Sequence, residues 1–236
     1  MRVPPNPPYD GAFQYCRGLY QYNPRGDGGG PMTDYPQADE NLPFRFSELT
    51  KTWVSQDARG NFNHTIVSLT DDALYRCPIV IMQEVGSLLL DEIDAARLRD
   101  YLTKGGFLWV DDFWGDEAWE QWAAQMRRVL PEFSIADVAP GDPIRSTQFT
   151  IDEVVQVSSI NFWRRGGDTR ERGAESPHAD FREIADARGR ILVVMTHNTD
   201  IGDSMEREAE EPEFFAEFSI RGYALATNIV LYALTH

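Results

Sequence analysis

The chain is poor in cysteine, in histidine and in positive charge: it holds two Cys, four His and 22 Lys+Arg against 38 Asp+Glu in 236 residues. Cys16 and Cys77 cannot build a disulfide framework or a thiolate zinc site. They could form one bridge, which would need an oxidising compartment. The expectation is that they stay unbonded as small buried hydrophobes, because Cys16 falls inside the first predicted strand and Cys77 just before another. The net charge of −16 argues against nucleic acid as a partner, since that affinity rests on Lys and Arg neutralising phosphates. No apolar run reaches the roughly 18 residues of a membrane helix. The opening Met1-Arg2-Val3-Pro4-Pro5-Asn6-Pro7-Pro8 has no apolar h-region and is not a signal peptide. Its ragged, proline-rich character suits the start of a mature exported protein, periplasmic or beyond. A cytoplasmic chain is the alternative.

What is present is enough for a core. At 42% hydrophobic and 12% aromatic residues, disorder of the whole chain is excluded. The length suits one α/β domain over residues 13–236, behind a disordered or extended arm at 1–12. Phe13 to Tyr20 reads as a strand, followed by a glycine-rich loop from about Gln21 to Asn41. A helix is expected from Pro43 to Trp53 with its N-cap near Asn41. Ile79–Met82, Phe107–Val110 and Ile191–Met195 are apolar runs without alternation, as in parallel strands buried on both faces. Asp91–Lys104 and Asp116–Leu130 read as amphipathic helices, the second capped by Asp116. Val154–Val157 suggests a strand, Arg164 to Pro177 a polar loop, Met205 to Glu217 an exposed acidic stretch, and Gly222–Leu234 an apolar helix. Strands alternating with helices predict a three-layer α/β sandwich around a mostly parallel sheet.

In such sheets ligands sit beyond the carboxyl ends of the strands. Three predicted strands end in polar groups: Glu84 before Gly86; Asp111 and Asp112; then His197, Asn198 and Asp200. The loop carrying Asp34 and Tyr35 should reach the same edge. Glu84, Asp112, His197, Asp200 and Asp34 are therefore expected in one cleft, floored by Gly86 and covered by the Gln21–Asn41 loop. Trp114 is a further candidate contact, although Trp114, Trp119 and Trp122 together look more like helix packing than a sugar platform. Crowded carboxylates repel unless a cation or a donor offsets them. Hence Glu84, Asp112, His197 and Asp200 are also candidate metal ligands, and hard oxygen donors would favour calcium, magnesium or manganese. No organic cofactor is expected.

Several of these segments resemble a bacterial family known only as domain of unknown function 4159. They are Thr33-Asp34-Tyr35-Pro36 with Ala38-Asp39-Glu40-Asn41-Leu42, Gln83-Glu84-Val85-Gly86, and Leu98-Arg99-Asp100-Tyr101-Leu102 running to Gly105-Gly106-Phe107-Leu108-Trp109-Val110-Asp111-Asp112. The closing stretch from Gly222 to Leu234 with His236 fits the same pattern, so the resemblance spans about Phe13 to His236. It implies a flavodoxin-like sandwich similar to the class I glutamine amidotransferase-like fold, often exported, and no established activity. Where a histidine is expected before Pro143, this chain has Asp142.

Glutaminase chemistry needs a cysteine nucleophile at a strand-to-helix elbow. The residues after Ile79–Met82 are Gln83, Glu84, Val85, Gly86 and Ser87, so that chemistry is not expected, and the G-x-S-x-G elbow is absent too. Two classes remain. The first is a binding module holding a small polar molecule such as a carbohydrate, or a protein partner. The second is a metal-assisted or acid/base hydrolase on Glu84, Asp112, His197 and Asp200.

Overall fold

The computed structural model describes residues 5–236, and the first four residues of the predicted arm lie outside them. Among the described residues the chain builds a seven-stranded sheet. Its strands are β1 (Tyr15–Leu19), β3 (His64–Ser68), β4 (Ile79–Gln83), β6 (Phe107–Asp111), β7 (Ile135–Asp137), β8 (Asp180–Ala185) and β9 (Ile191–His197). The spatial order is β3-β1-β4-β6-β9-β8-β7. The first five run parallel and the last two pairings are antiparallel. β2 (Gln21–Tyr22) and β5 (Leu88–Leu89) form a separate small antiparallel pair.

The three apolar runs do lie side by side and parallel, as expected: β4, β6 and β9. Strand side chains alternate between faces, and here both faces are covered. Ile79, Ile81, Phe107 and Trp109 join one core, whereas Val80, Met82, Leu108 and Val110 join the other. That is why the sequence shows no polar alternation.

Helices cover both faces. α1 (Gln37–Thr50), α5 (Ile201–Glu206) and α7 (Ile220–Thr235) pack together on the first face. α2 (Glu92–Thr103) and α3 (Gly115–Val129) pack on the second. Two short helices, α4 (Ile160–Trp163) and α6 (Pro212–Phe214), complete the set, and a π-helical turn at Phe215–Ser219 joins α6 to α7. Counted in chain order, the parallel strands lie 2-1-3-4-5, so the winding reverses between β1 and β4. Because crossovers keep one hand, a reversal moves the connecting helices to the other face, from α1 to α2 and α3.

Several expectations are corrected. Cys16 and Cys77 form a disulfide, with Cα atoms 6.0 Å apart. The expectation places Cys16 inside one strand and Cys77 at the entry of another, but β1 is the direct neighbour of β4, and Cys77 stands two residues before β4 on the face Cys16 occupies. α1 begins at Gln37 rather than Pro43, and Pro43 lies inside it; starting early carries Asp39 to Arg17. Asp116 does not cap α3, since Trp114 is the N-cap residue and makes no side-chain cap bond. The first N–H groups are taken instead by distant residues, Trp114 by Asp27 Oδ2 and Gly115 by Asn198 Oδ1. Val154–Val157 is irregular, not a strand. The Met205–Glu217 stretch buries Met205 and Phe214. The proline-rich arm lies along the sheet: Asn6 bonds both the N–H and the C=O of Ile66 on β3.

Candidate functional site

The backbone marks the site before the side chains do. Among the described residues five non-glycine ones have left-handed backbones: Asp34 (φ 62°), Lys51 (61°), Glu84 (61°), Asp112 (57°) and Asn198 (59°). Lys51 is the C-cap of α1. The other four sit at the carboxyl edge of the sheet, with Glu84, Asp112 and Asn198 each immediately after β4, β6 or β9. Such conformations cost on the order of 1 kcal/mol or more each for a side chain like glutamate. Three adjacent strand tips are therefore turned the same way at some expense.

Beneath the edge lies a fully buried polar relay. Arg17 on β1 holds Asp39 of α1 through Nε and Nη2, at 2.8 and 2.6 Å. Its Nη1 donates to the carbonyls of Pro31 and Thr33 and to Gln83 Oε1. Gln83, the last residue of β4, in turn donates from Nε2 to Asp34 Oδ2 at 2.5 Å. One strand cation thus ties down both the glycine-rich loop and the orientation of Asp34.

Asp34 meets two further aspartates. Asp34, Asp200 and Asp203 are all buried and offer one carboxylate oxygen each within 4.8 Å of one another. Asp200 caps α5, accepting from Asp203 N at 2.7 Å. Asp203 accepts from Ile160 N at 2.8 Å. A Cβ on Gly202 would overlap Gln83 Nε2 and Asp34 Oδ2, so a residue without a side chain is required where α5 meets the loop. Burial pushes the Asp34 carboxyl well above its usual range, and the negative charges of Asp203 and Glu206 add to the effect. Asp200 is raised by burial and then by Asp112 and Asp34.

The second half of the site is Glu84 with Asp112. Burial raises Glu84 to about 7, while the hydrogen bond with Asp112 and donors from Gly29 and Thr33 oppose the shift. Burial, then the charge of Glu84, pushes Asp112 well up. Burial raises both carboxyls and the charge of Glu84 opposes ionisation of Asp112, so the pair favours keeping a proton. Trp114 Nε1 donates to Asp112 Oδ1 at 2.9 Å, and Thr33 Oγ1 lies 3.3 Å from Glu84 Oε1. The glycine-rich loop roofs the pair. A Cβ on Gly28 would overlap the Glu84 carboxylate. Asp27 fastens this roof, accepting from Trp114 N at 3.0 Å and pairing with Arg172. Beside the roof an open cavity of about 520 Å³ runs between Asp27, Gly86, Trp114, Gln121 and Arg172.

The structure brings Asp34, Asp112, Asp200 and Glu84 together, with Asp111 beside them. Asp111 is raised to about 7 by burial, against donors from Thr196 and Gly202 N. His197 is elsewhere: Nδ1 lies 2.9 Å from Asp180 Oδ2 and Nε2 3.1 Å from Gly115 O, with its ring against Phe113 and Trp119. Both nitrogens are taken. Tyr35 points to the β3 side, its hydroxyl 3.1 Å from His64 Nε2. Asn198 serves α3 rather than the cleft. Gly86 packs against Ala118 and Asp27. Asp142, standing where the family pattern suggests histidine, caps a short 3₁₀ turn by accepting from Ile144 N.

Sequence reading missed Arg17, Asp39, Gln83 and Asp203 as site residues. The available signals were an arginine inside an apolar strand of a cation-poor chain, and the Asp200–Asp203 spacing at a helix start.

Fold and site together define an α/β domain with a mostly parallel sheet and a buried carboxylate cluster at the carboxyl edge. The chain belongs to the family described as domain of unknown function DUF4159, whose family model matches residues 20–234. The comparison with curated proteins found no match. Among the described residues no helix is long and apolar enough to cross a membrane.

Proposed function

We propose that this chain is an exported binding domain whose carboxyl-edge site takes a divalent cation and, through it, a small polar ligand of the carbohydrate type. The observation that carries the reading is the set of three buried aspartates, Asp34, Asp200 and Asp203, with oxygens within 4.8 Å of each other. All-oxygen donors fit calcium, magnesium or manganese, and a cation would offset the burial and the mutual repulsion that raise Asp34 and Asp200. Asp34 is held by Gln83 and Asp200 by its own helix turn, so two of the three donors are preorganised. The site also adjoins the winding reversal between β1 and β4, where ligands of open α/β sheets gather. The 2-1-3-4-5 order supports the flavodoxin-like, amidotransferase-like assignment. The disulfide supports export to an oxidising compartment.

Chelator-treated protein titrated with calcium, magnesium and manganese provides the test. At least one ion should raise the melting temperature and titrate in calorimetry, and Asp34→Asn should remove that response. The reading is overturned if no ion acts at millimolar concentration, or if Asp34→Asn responds like the parent.

A second reading is favoured by the Glu84–Asp112 pair, both raised by burial: a general acid and base for hydrolysis at the same edge. Glutaminase chemistry is not part of it, since the strand-to-turn elbow holds Glu84, φ 61°, in place of a cysteine. Infrared titration of the carboxyl bands separates the readings. A pair retaining one proton to about pH 7 supports the acid/base role, and full ionisation by pH 5 removes it.

A further inference from the structure

At the opposite, amino edge of the sheet lies a groove of about 620 Å³, within the range of small-ligand sites. Its walls come from the arm (Tyr9), the segment after α1 (Trp53), the 3₁₀ turn Asp72–Arg76 (Tyr75, Arg76) and the end of α2 (Lys104). The Cys16–Cys77 bridge also lines it. Two features set this surface apart. Trp53, Tyr9 and Tyr75 all line the one depression and are 69%, 58% and 39% exposed. The chain carries 38 Asp+Glu, yet among the described residues none lines the groove, whose charged lining residues there are Arg76 and Lys104.

The nearby carboxylates are already engaged. Asp100 takes Lys104 Nζ and the Tyr75 hydroxyl, Asp72 takes Arg97, and Asp10 takes Ser55 Oγ and Ala12 N. Among the described residues Arg76 has no ion-pair partner. Of these aromatics the Tyr75 ring is tethered by its hydroxyl, which donates to Asp100 at 2.5 Å, while the backbone beneath Trp53 is fixed by Phe13 N donating to Trp53 O at 3.0 Å. A wall fixed before binding lowers its entropic cost.

We infer that this groove binds an anionic saccharide, a chain of sugar rings bearing carboxylates. The rings would lie on Trp53 and Tyr9, and a carboxylate would meet Arg76, with Tyr75, whose ring already carries Arg97 and Lys104, closing the wall beside them. Charge complementarity selects an anion, because Arg76 is unpaired among the described residues and Lys104, already paired with Asp100, adds no negative charge to a lining without carboxylates in a chain of net charge −16. Separated aromatic faces select rings with apolar C–H faces. An acidic peptide is disfavoured because strand addition needs a free edge, and Asn6 already occupies Ile66 on the outer edge of β3.

Calorimetry on the full chain tests this with an oligogalacturonate, a neutral maltooligosaccharide and poly-L-glutamate. The oligogalacturonate should bind, more weakly as salt rises, and the neutral oligomer should bind far less. Trp53→Ala and Arg76→Glu should each weaken binding about tenfold without moving the melting temperature, since both side chains are exposed. Asp34→Asn should bind like the parent, which separates this groove from the carboxyl edge. The inference is overturned by absence of oligogalacturonate binding at millimolar concentration, by equal binding of the neutral oligomer, by poly-L-glutamate binding as tightly, or by both groove variants binding like the parent.

Discussion

Gln83 Nε2 donates to Asp34 Oδ2 at 2.5 Å, and the same amide accepts from Arg17 at 2.6 Å. The last residue of β4 thus couples the buried cation of β1 to the aspartate that heads the carboxylate cluster. Gln83→Met keeps the volume and removes both hydrogen bonds. It should cost about 2 kcal/mol in urea unfolding, with an unchanged dependence on urea. Arg17 keeps Asp39 and two loop carbonyls, so global unfolding is not expected. A parent-like midpoint would show that the relay adds nothing.

The cluster makes stability depend on pH in a stated direction. Glu84 and Asp111 have folded values near 7, above the 4.5 and 3.8 of the unfolded groups. Between those limits the native state holds more protons than the unfolded state, so stability falls as pH rises from about 4.5 to 7. Each retained proton contributes a slope of about 1.4 kcal/mol per pH unit. Cation-free protein should therefore melt higher at pH 5 than at pH 8. Asp112→Asn, which keeps an acceptor for Trp114, should raise the pH 8 melting temperature and flatten the profile. Loss of stability at both pH values would mark Asp112 as a structural hydrogen-bond hub instead.

Gly28 has φ 78° and no room for a Cβ beside Glu84. Gly28→Ala should cost about 2 kcal/mol through backbone strain and displacement of the roof. Gly141→Ala, in open space without a positive φ, is the control and should be neutral. Equal melting of the two variants would mean that the roof does not close on Glu84.

The disulfide closes a segment with a sequence separation of 61 residues. By loop entropy it stabilises the fold by about 4 kcal/mol. Denatured protein should show no free thiol before reduction and two after it. Cys16→Ser with Cys77→Ser should lower the urea midpoint accordingly. Free thiols in unreduced protein would overturn the bridge.

The sequence by itself determined the layered α/β architecture and its inner strands. Continuous apolar runs such as Ile79–Met82 leave no polar face for solvent, so they must lie inside a sheet covered on both sides. It also placed Glu84, Asp112 and Asp200 near one edge, because parallel strands all finish at the same end. Strand order is not written in such local patterns, and only the tertiary structure decided it. Setting β1 beside β4 bonded Cys16 to Cys77 and brought Arg17 under Gln83. The facing of His197 and Tyr35 depended in the same way on neighbours distant in sequence. Asp180 and Gly115 claim His197, and His64 claims Tyr35. A hydrogen-bonding side chain at a strand tip takes the nearest partner the packing offers, and its own sequence position does not say which side that partner is on.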